Sequence, residues 1–192
     1  PGVRFVFQVR DPRDYLASAK AATKKPGGNK FGSDRKALRV WQEDQQGGLH
    51  ALGLLGPQRV FLHRYEDLLI TPQQTLQQLC SFLGLEFEPE MLEFHRTDQA
   101  TKLAASTKQR RNVNQPLMSG NFAKYRSALP PEDILKVENR LGRMMYMFGY
   151  PLDLTLLGRR GKKSLRESAN AHHEFTRPPL LQPLDYGPNP FF

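Results

Sequence analysis

The sequence predicts an α/β fold built around a parallel sheet, and three observations lead to this class. Two short runs, residues 3–9 and 59–65, are rich in the β-branched and aromatic residues that favour strands. Helical patterns follow each run, so the order of elements is strand, helix, helix, strand, helix. This alternation is typical of a parallel sheet with flanking helices. The 192 residues suffice for one domain with its own core.

The first predicted strand, residues 3–9, leads directly into a helix that is predicted to end near Thr23. Every odd-numbered position of the strand is apolar, as in a strand with one buried face. Asp11 suits the N-cap of the helix, and Pro12 suits its first position. Asp14 stands at the third helical position, where a carboxylate can reach back to the cap. These residues predict an abrupt change from strand to helix at residue 11.

The other elements are predicted from apolar periodicity and from residues that begin or end helices. A second helix is expected over 34–55, interrupted at Gly47-Gly48, with a buried face made of Leu38, Trp41, Leu49, Leu52 and Leu55. The second strand, 59–65, follows it. The remaining predictions are a helix from Thr71 to Phe82 closed by Gly84, a short helix near 90–95, a largely irregular basic stretch over 96–121, and a helix from Pro131 to about Phe148.

Composition excludes several classes of protein and of site. The single cysteine, Cys80, rules out an internal disulfide and a metal site made of several cysteines, and its place on an apolar helix face predicts a buried thiol. No apolar run approaches the ~20 residues that a membrane span needs. No Asn-x-Ser/Thr sequon is present. We therefore expect a cytoplasmic location, or the Golgi lumen if an anchor lies upstream.

Positive charge is concentrated in one part of the chain. The formal net charge is +9, and residues 96–126 contain seven Lys or Arg side chains and one acid, Asp98. Such a stretch is either a solvated loop or a face that binds anionic partners. Nucleic acid is disfavoured as the partner, because no nucleic-acid-binding motif appears and aromatic residues are not interleaved at stacking spacing.

Residues 10–18, Arg-Asp-Pro-Arg-Asp-Tyr-Leu-Ala-Ser, form the segment that points to chemistry. Arg10 stands at the end of the strand, where open α/β sheets bind their ligands. The helix that follows is expected to offer free N–H groups and the positive end of its dipole. Ser18 lies about two turns further, on the face shared with Asp11 and Asp14. Arg10 and Ser18 together could hold one phosphate; alternatively, Arg10 pairs with Asp11 and Ser18 faces solvent.

This segment resembles the 3′-phosphate-binding signature of sulfotransferases that use PAPS (3′-phosphoadenylyl sulfate). In that family the Arg, and the Ser eight positions later, hold the 3′-phosphate of PAPS or of its product PAP. Three further segments resemble the family in order and spacing: Arg64-Tyr65-Glu66-Asp67-Leu68, Cys80-Ser81-Phe82-Leu83-Gly84-Leu85 and Met147-Phe148-Gly149-Tyr150. The resemblance implies a P-loop-kinase-like parallel sheet with flanking helices.

The resemblance also implies further residues of the nucleotide site. Tyr65 would lie near the adenine, although a core aromatic residue is an equal alternative. Arg110 and Arg111, with Lys108 behind them, would correspond to a basic loop that reaches the 3′-phosphate, but the family's Arg-Lys-Gly triplet is absent. Residues 121–126 resemble a segment in which the family commonly has Trp followed by Lys or Arg, with Phe and Tyr here in place of Trp.

The resemblance covers residues 3–151, so we take 1–154 as a partial sulfotransferase domain that is incomplete at the N-terminus. Residues 155–192 are basic and then Pro-rich, which predicts a poorly ordered tail. In the family, the loop that binds the 5′-phosphosulfate and the catalytic base both lie upstream of the Arg10 strand. We therefore expect the chain to supply the 3′-phosphate half of the site and not to turn over alone.

The reaction implied is transfer of a sulfo group from PAPS to a hydroxyl or amine acceptor without a metal ion. The sequence does not identify the acceptor. The alternative is a non-catalytic sulfotransferase-like module that binds polyanions through the basic 96–126 stretch. Salt dependence distinguishes the two, since polyanion binding weakens steeply with salt.

Overall fold

The structure is a computed structural model that describes residues 2–23, 28–107, 110, 112–153 and 180–185. Its elements are β1 (Phe5–Val9), α1 (Pro12–Ala21), α2 (Asp34–Leu55), β2 (Val60–Arg64), α3 (Tyr65–Ile70), α4 (Pro72–Leu83), a 3₁₀ helix (Pro89–Arg96), α5 (Asp98–Ser106), α6 (Tyr125–Ala128) and α7 (Pro131–Met147). The predicted α/β class is confirmed in a coarse form, as a mainly helical fold with a small parallel sheet.

The chain divides into two compact units. The first unit comprises Pro1–Val9 and Gly48–Phe122, and the second comprises Arg10–Gly47 and Ala123–Phe192. The first therefore contains the sheet, and the second contains the 10–18 segment.

In the first unit, β1 and β2 pair in parallel. The register runs from Phe5 opposite Val60 to Val9 opposite Arg64. Within the described part of the chain the sheet has these two strands. Phe61 of β2 lies 5.5 Å, between ring centroids, from Phe82 of α4. Both predicted strands are confirmed, each somewhat shorter than its sequence pattern.

Both faces of β1 carry exposed apolar side chains. Phe5 is 45% exposed, and its neighbour Val6, which points to the opposite face, is 47% exposed. Parallel strands usually bury both faces, and an exposed apolar strand is a template for association with another chain. The 192-residue chain is therefore expected to self-associate through β1.

Val6→Lys is expected to reduce this self-association, because a charged side chain on an exposed strand opposes pairing between edges. Sedimentation velocity over a concentration series measures the effect. Leu54→Lys is the matched control, since Leu54 is 70% exposed but lies on helix α2. An equal reduction in both variants would contradict the role of the strand and indicate a general effect of charge.

In the second unit, α1 packs against α6 and α7. Trp41 of α2 is buried and meets Phe148 edge to face, with ring centroids 6.4 Å apart and an interplanar angle of 86°. The apolar side chains of Leu16, Val137 and Leu141 are buried in the same unit.

Helix α2 differs from its prediction at the glycines. The helix continues through Gly47 and Gly48 instead of being interrupted there. A Cβ atom on Gly48 would lie 2.3 Å from the ring of Phe7, so the position requires glycine for close approach and not for a break. Leu38 and Trp41 are buried as predicted, whereas Leu49, Leu52 and Leu55 are only half-buried.

The helix ends follow the local signals in most places. Gly84 closes α4 with a left-handed φ of 74°, as predicted. The thiol of Cys80 is buried, also as predicted. Helix α3 was not predicted; it begins immediately after β2, where the Asp67 carboxylate accepts the Arg64 N–H at 2.9 Å and so caps the new helix.

The described part of the predicted tail is residues 180–185. The N–H of Leu180 donates to the carbonyl of Met147 at 2.8 Å, and the N–H of Leu184 donates to the carbonyl of Gly149 at 2.8 Å. The rest of the predicted tail lies outside the described residues. Within the described ranges, no helix has the length and apolarity that a membrane span requires.

Candidate functional site

Arg10 follows the last residue of β1 and lies just before the cap of α1. Its side chain is half-buried. Its backbone carbonyl accepts a hydrogen bond from Nε1 of Trp41 at 3.0 Å. This hydrogen bond anchors the main chain of Arg10 to α2.

In the first turn of α1, backbone N–H groups donate to Asp11 and are not available to a ligand. Asp11 is the N-cap, as predicted, and its Oδ1 accepts the Arg13 N–H at 2.8 Å. The N–H of Tyr15 donates to the Asp11 carbonyl at 2.9 Å, and Pro12 has no N–H. The expectation that this helix end offers free N–H groups to an anion is therefore wrong for these positions. An anion here would depend on side chains.

A buried ion network lies beneath this turn. Nη2 of Arg13 is 2.7 Å from Oδ2 of Asp11, and Nη1 is 2.7 Å from Oε1 of Glu138 on α7. The Arg13 guanidinium also lies 4.1 Å from the ring centroid of Tyr125. Although burial acts to lower the pKa of Arg13, the charge of Asp11, the hydrogen bond to it and the charge of Glu138 outweigh burial and raise that pKa well above its ordinary value.

Sequence reasoning missed this network, since its partners are far apart in the chain. Arg13 and Glu138 are separated by 125 positions. Oε1 of Glu138 also accepts the N–H of Asp153 at 2.9 Å. The pKa of Glu138 is raised by burial, and Arg13 opposes that rise. The network joins α1, α7 and the chain beyond α7.

Asp14 does not return to the cap as predicted. Its Oδ1 accepts the N–H of Tyr125, the first residue of α6, at 2.8 Å. The preceding turn contains Ala123, which has a positive φ of 54°. A cap contact is replaced by a tertiary contact because α6 presents a free backbone donor to the buried face of α1.

Ser18 is exposed on α1, in contrast to its neighbours. The side chains of Asp11, Arg13 and Asp14 are buried, and Ala17 and Ala19 are buried on either side of Ser18. The 10–18 segment thus contains two groups of polar residues. Asp11, Arg13 and Asp14 are buried, whereas Arg10 is half-buried and Ser18 is exposed. Arg10 and Ser18 belong to the same unit.

The far end of α1 is held by a second set of charges. Nζ of Lys20 lies 3.1 Å from a carboxylate oxygen of Asp34 and forms an ion pair with Asp133 of α7. Asp133 also pairs with Lys136 at 2.6 Å. Burial acts to raise the pKa of Asp133, but its bonds to Lys136 and Lys20 lower it overall. Both ends of α1 are therefore tied to α7.

The other predicted site residues belong to the first unit. Tyr65 is half-buried at the start of α3, and its hydroxyl accepts a hydrogen bond from Nδ2 of Asn121 at 2.6 Å. Arg110 is exposed. Arg111 and Lys108 lie outside the described residues. The Tyr65–Asn121 contact was not predicted, because its two residues are 56 positions apart.

Three protein relatives are similar to this chain, all carbohydrate sulfotransferase 3. The protein from Mus musculus is 29% identical, over 78% of this chain and 34% of that protein. The protein from Tetronarce californica is 27% identical, over 88% of this chain and 41% of that protein. The Homo sapiens protein is 28% identical, over 86% of this chain and 37% of that protein. The chain thus spans well under half the length of these curated relatives.

A family model and a solved structure give the same result. Residues 1–89 match the model described as Sulfotransferase family. The sulfotransferase domain from the curacin biosynthetic pathway is 25% identical with a TM-score of 0.52, and the match covers 72% of this chain and 53% of that chain. Sequence and fold agree: residues 1–89 match the Sulfotransferase family, and the chain is similar to carbohydrate sulfotransferases and to a solved sulfotransferase domain.

Proposed function

We propose that the chain binds the 3′-phosphate of PAPS for a sulfotransferase that transfers the sulfo group to a carbohydrate hydroxyl or amine. The observation that carries this proposal is the division of the 10–18 segment. Asp11, Arg13 and Asp14 are buried in the fold, whereas Arg10 is half-buried and Ser18 is exposed, and both carry donor groups that suit a phosphate. The carbohydrate acceptor is suggested by the names of the relatives.

The residues present fit the nucleotide's charge. A guanidinium supplies paired donors and full charge to a phosphate, and a serine hydroxyl supplies a neutral donor. Arg13, 2.7 Å from the nearby carboxylate of Asp11, offsets part of the negative charge that would oppose an anion. Arg10 and Ser18 are therefore suited to bind a 3′-phosphate.

PAPS, when bound, supplies the sulfo group and leaves as PAP. Arg10 would bind and orient the nucleotide by its 3′-phosphate, and Ser18 would donate a hydrogen bond to the same group. The backbone contact between Arg10 and Trp41 keeps this strand end in place. These residues contribute binding and orientation; we assign no proton transfer to them.

Further parts of the site are proposed with the same function. Tyr65 would place its ring near the adenine, as the resemblance implies, and the hydrogen bond from Asn121 to its hydroxyl restrains the side chain. Arg110, which is exposed, and Arg111 would add positive charge for the 3′-phosphate. The likeness to a solved sulfotransferase domain supports a P-loop-kinase-like sheet as the parent fold.

Calorimetric titration with 3′,5′-ADP and with 5′-AMP tests the proposal. The chain is expected to prefer 3′,5′-ADP by about tenfold or more, and Arg10→Ala should abolish that preference, because hydrogen bonds to charged groups contribute about 1.5–3 kcal/mol. Ser18→Ala should cost about two- to tenfold, as for a neutral hydrogen bond. Arg39→Ala is the control for loss of one positive charge, since Arg39 is 59% exposed on α2.

Equal affinity for the two nucleotides would contradict the proposal. If binding to both also fell steeply with salt, the polyanion-binding module would be the better interpretation, since its affinity depends on the number of phosphates contacted. Loss of affinity in Arg39→Ala equal to that in Arg10→Ala would likewise indicate general electrostatic attraction.

A further inference from the structure

Asp14 is a buried carboxylate whose hydrogen bonds are incomplete. Its side chain is almost fully buried. Oδ1 accepts the Tyr125 N–H at 2.8 Å, whereas the buried Oδ2 makes no hydrogen bond within the part of the chain that the structure describes. A buried, half-satisfied carboxylate is costly and calls for an explanation.

The groups around Asp14 come from three elements. Burial and the charge of Asp11 raise the pKa of Asp14 to about 6, and the N–H groups of Tyr125 and Ala123 and the charge of Arg10 act against that rise. On the α6 side, burial raises the pKa of the Tyr125 phenol to about 12, although Arg13 and a hydrogen bond to Arg126 act to lower it, so the phenol stays neutral. On the α7 side, Glu138 is paired with Arg13.

Asp14 therefore stands between the strand end and α6. It holds the backbone of Tyr125 directly, and it is close enough to Arg10 for the two charges to interact. Its negative charge offsets part of the positive potential that Arg10 presents to a ligand. Neutralising Asp14 would strengthen that potential, and it would leave the bond between the Arg10 carbonyl and Trp41 untouched.

We propose that Asp14 is a positioning residue that fixes the α6 turn against α1 and restrains the phosphate affinity of Arg10, so that phosphate binding is accompanied by protonation of Asp14. This inference rests on the proposed function, because it takes Arg10 as the phosphate-binding group. The coupling is reciprocal: if a phosphate favours the protonated carboxyl, the protonated carboxyl favours the phosphate by the same factor.

Proton uptake by the unmodified chain is the first measurement. Titration of the chain with 3′,5′-ADP at pH 7, in buffers of different ionisation enthalpy, gives the number of protons taken up. A rise of one unit in the pKa of Asp14 corresponds to an uptake of about 0.4 proton at this pH. Titration of Asp14→Asn provides the correction for protons that the ligand itself releases.

The affinity of Asp14→Asn is the second measurement. Asparagine keeps an oxygen that can accept the Tyr125 N–H but removes the charge. At pH 7.5 this variant is expected to bind 3′,5′-ADP about fivefold tighter than the wild type, the lower end of ordinary coupling between sites. The ratio should approach one near pH 5, where Asp14 is protonated. Asp44→Asn, an exposed carboxylate of the same unit, is the control.

Stability gives a readout that needs no ligand. Because the folded pKa of Asp14 is about 6 and its ordinary value is 3.8, its protonation favours the folded state. That contribution is complete below 3.8 and is lost as the pH rises through 6. The unfolding free energy of the wild type, relative to Asp14→Asn, should therefore rise as the pH falls from 7 to 4.

The outcomes separate the two proposals. If the wild type prefers 3′,5′-ADP but Asp14→Asn binds no tighter and takes up the same number of protons, the inference fails and the proposed function stands. If the wild type shows no preference, the proposed function fails and the coupling to phosphate fails with it. Weaker binding by Asp14→Asn, with no change in its pH profile, would reduce Asp14 to a purely structural residue.

Discussion

Arg13→Met is expected to lower the free energy of unfolding by about 3–5 kcal/mol, the range found when one partner of a buried ion pair is removed. The guanidinium is fully buried and lies 2.7 Å from carboxylate oxygens of both Asp11 and Glu138. Methionine replaces much of its volume but leaves two buried carboxylates without a cation. Since domains are stable by only about 5–15 kcal/mol, this loss would bring the chain close to unfolding.

Urea denaturation followed by the fluorescence of the single tryptophan, Trp41, measures this loss. Arg39→Met is the matched control, because Arg39 is 59% exposed and its distance to Glu43 is 3.8 Å. Its effect is expected to stay within about 0.5 kcal/mol. Equal, small effects in the two variants would mean that the buried network contributes no net stability.

A triple variant separates the effect of charge from the effect of packing. Adding Asp11→Asn and Glu138→Gln to Arg13→Met removes the uncompensated charges while the volume stays nearly constant. Part of the lost stability should return, since replacing a whole buried ion network is far less costly than breaking it. No recovery would show that the packing of Arg13 on Tyr125, and not its charge, is what stabilises the fold.

Trp41→Ala is expected to cost about 3–5 kcal/mol, as for a fully buried aromatic residue truncated to alanine. The indole is buried, meets Phe148 edge to face and donates to the Arg10 carbonyl at 3.0 Å. Trp41→Phe keeps most of the apolar contact but leaves that carbonyl without its donor. This variant should cost about 1–3 kcal/mol.

Thermal unfolding by circular dichroism measures both variants, since they lack the tryptophan reporter. Leu54→Ala, at a 70% exposed position of the same helix, is the control and is expected to change stability by no more than about 0.5 kcal/mol. In Trp41→Phe the affinity for 3′,5′-ADP should also fall, because the main chain of Arg10 loses its anchor. A stability loss without that fall in affinity would mean that Arg10 keeps its position by other contacts.

Local signals in the sequence predicted most of the elements. Pro12 and Gly84 begin and end helices because the first lacks an N–H and the second adopts a positive φ, which are properties of the residues themselves. The interruption at Gly48 was wrong for an instructive reason. A glycine can be required for an unusual backbone conformation or for close packing against another residue. Here it is required for packing against Phe7, which is 41 positions away, so the local sequence does not reveal the contact.

The local order of the 10–18 segment was predictable, with Arg10 directly after β1 and Asp11 as the cap of α1. Ser18 was expected on the helix face shared with Asp11 and Asp14, whereas it is exposed and they are buried. The partners of Arg13 and Asp14 do not follow from the local sequence, because Glu138 and Tyr125 are 125 and 111 positions away. The N–H of Arg13 was expected to be free, although the predicted cap, Asp11, accepts it.

Among homologues of this domain, we expect Arg10 and Ser18 to vary more than the buried residues of the 10–18 segment. Substitution of Arg10 or Ser18 leaves the Asp11–Arg13–Glu138 network untouched, so a duplicate can lose its ligand and keep its fold. Substitution of Arg13 would remove both the fold and the binding of a ligand. The central Asp-Pro-Arg-Asp of a homologue is therefore expected to mark folding. If the proposed function holds, residues 10 and 18 would separate homologues that bind the nucleotide from those that have lost it.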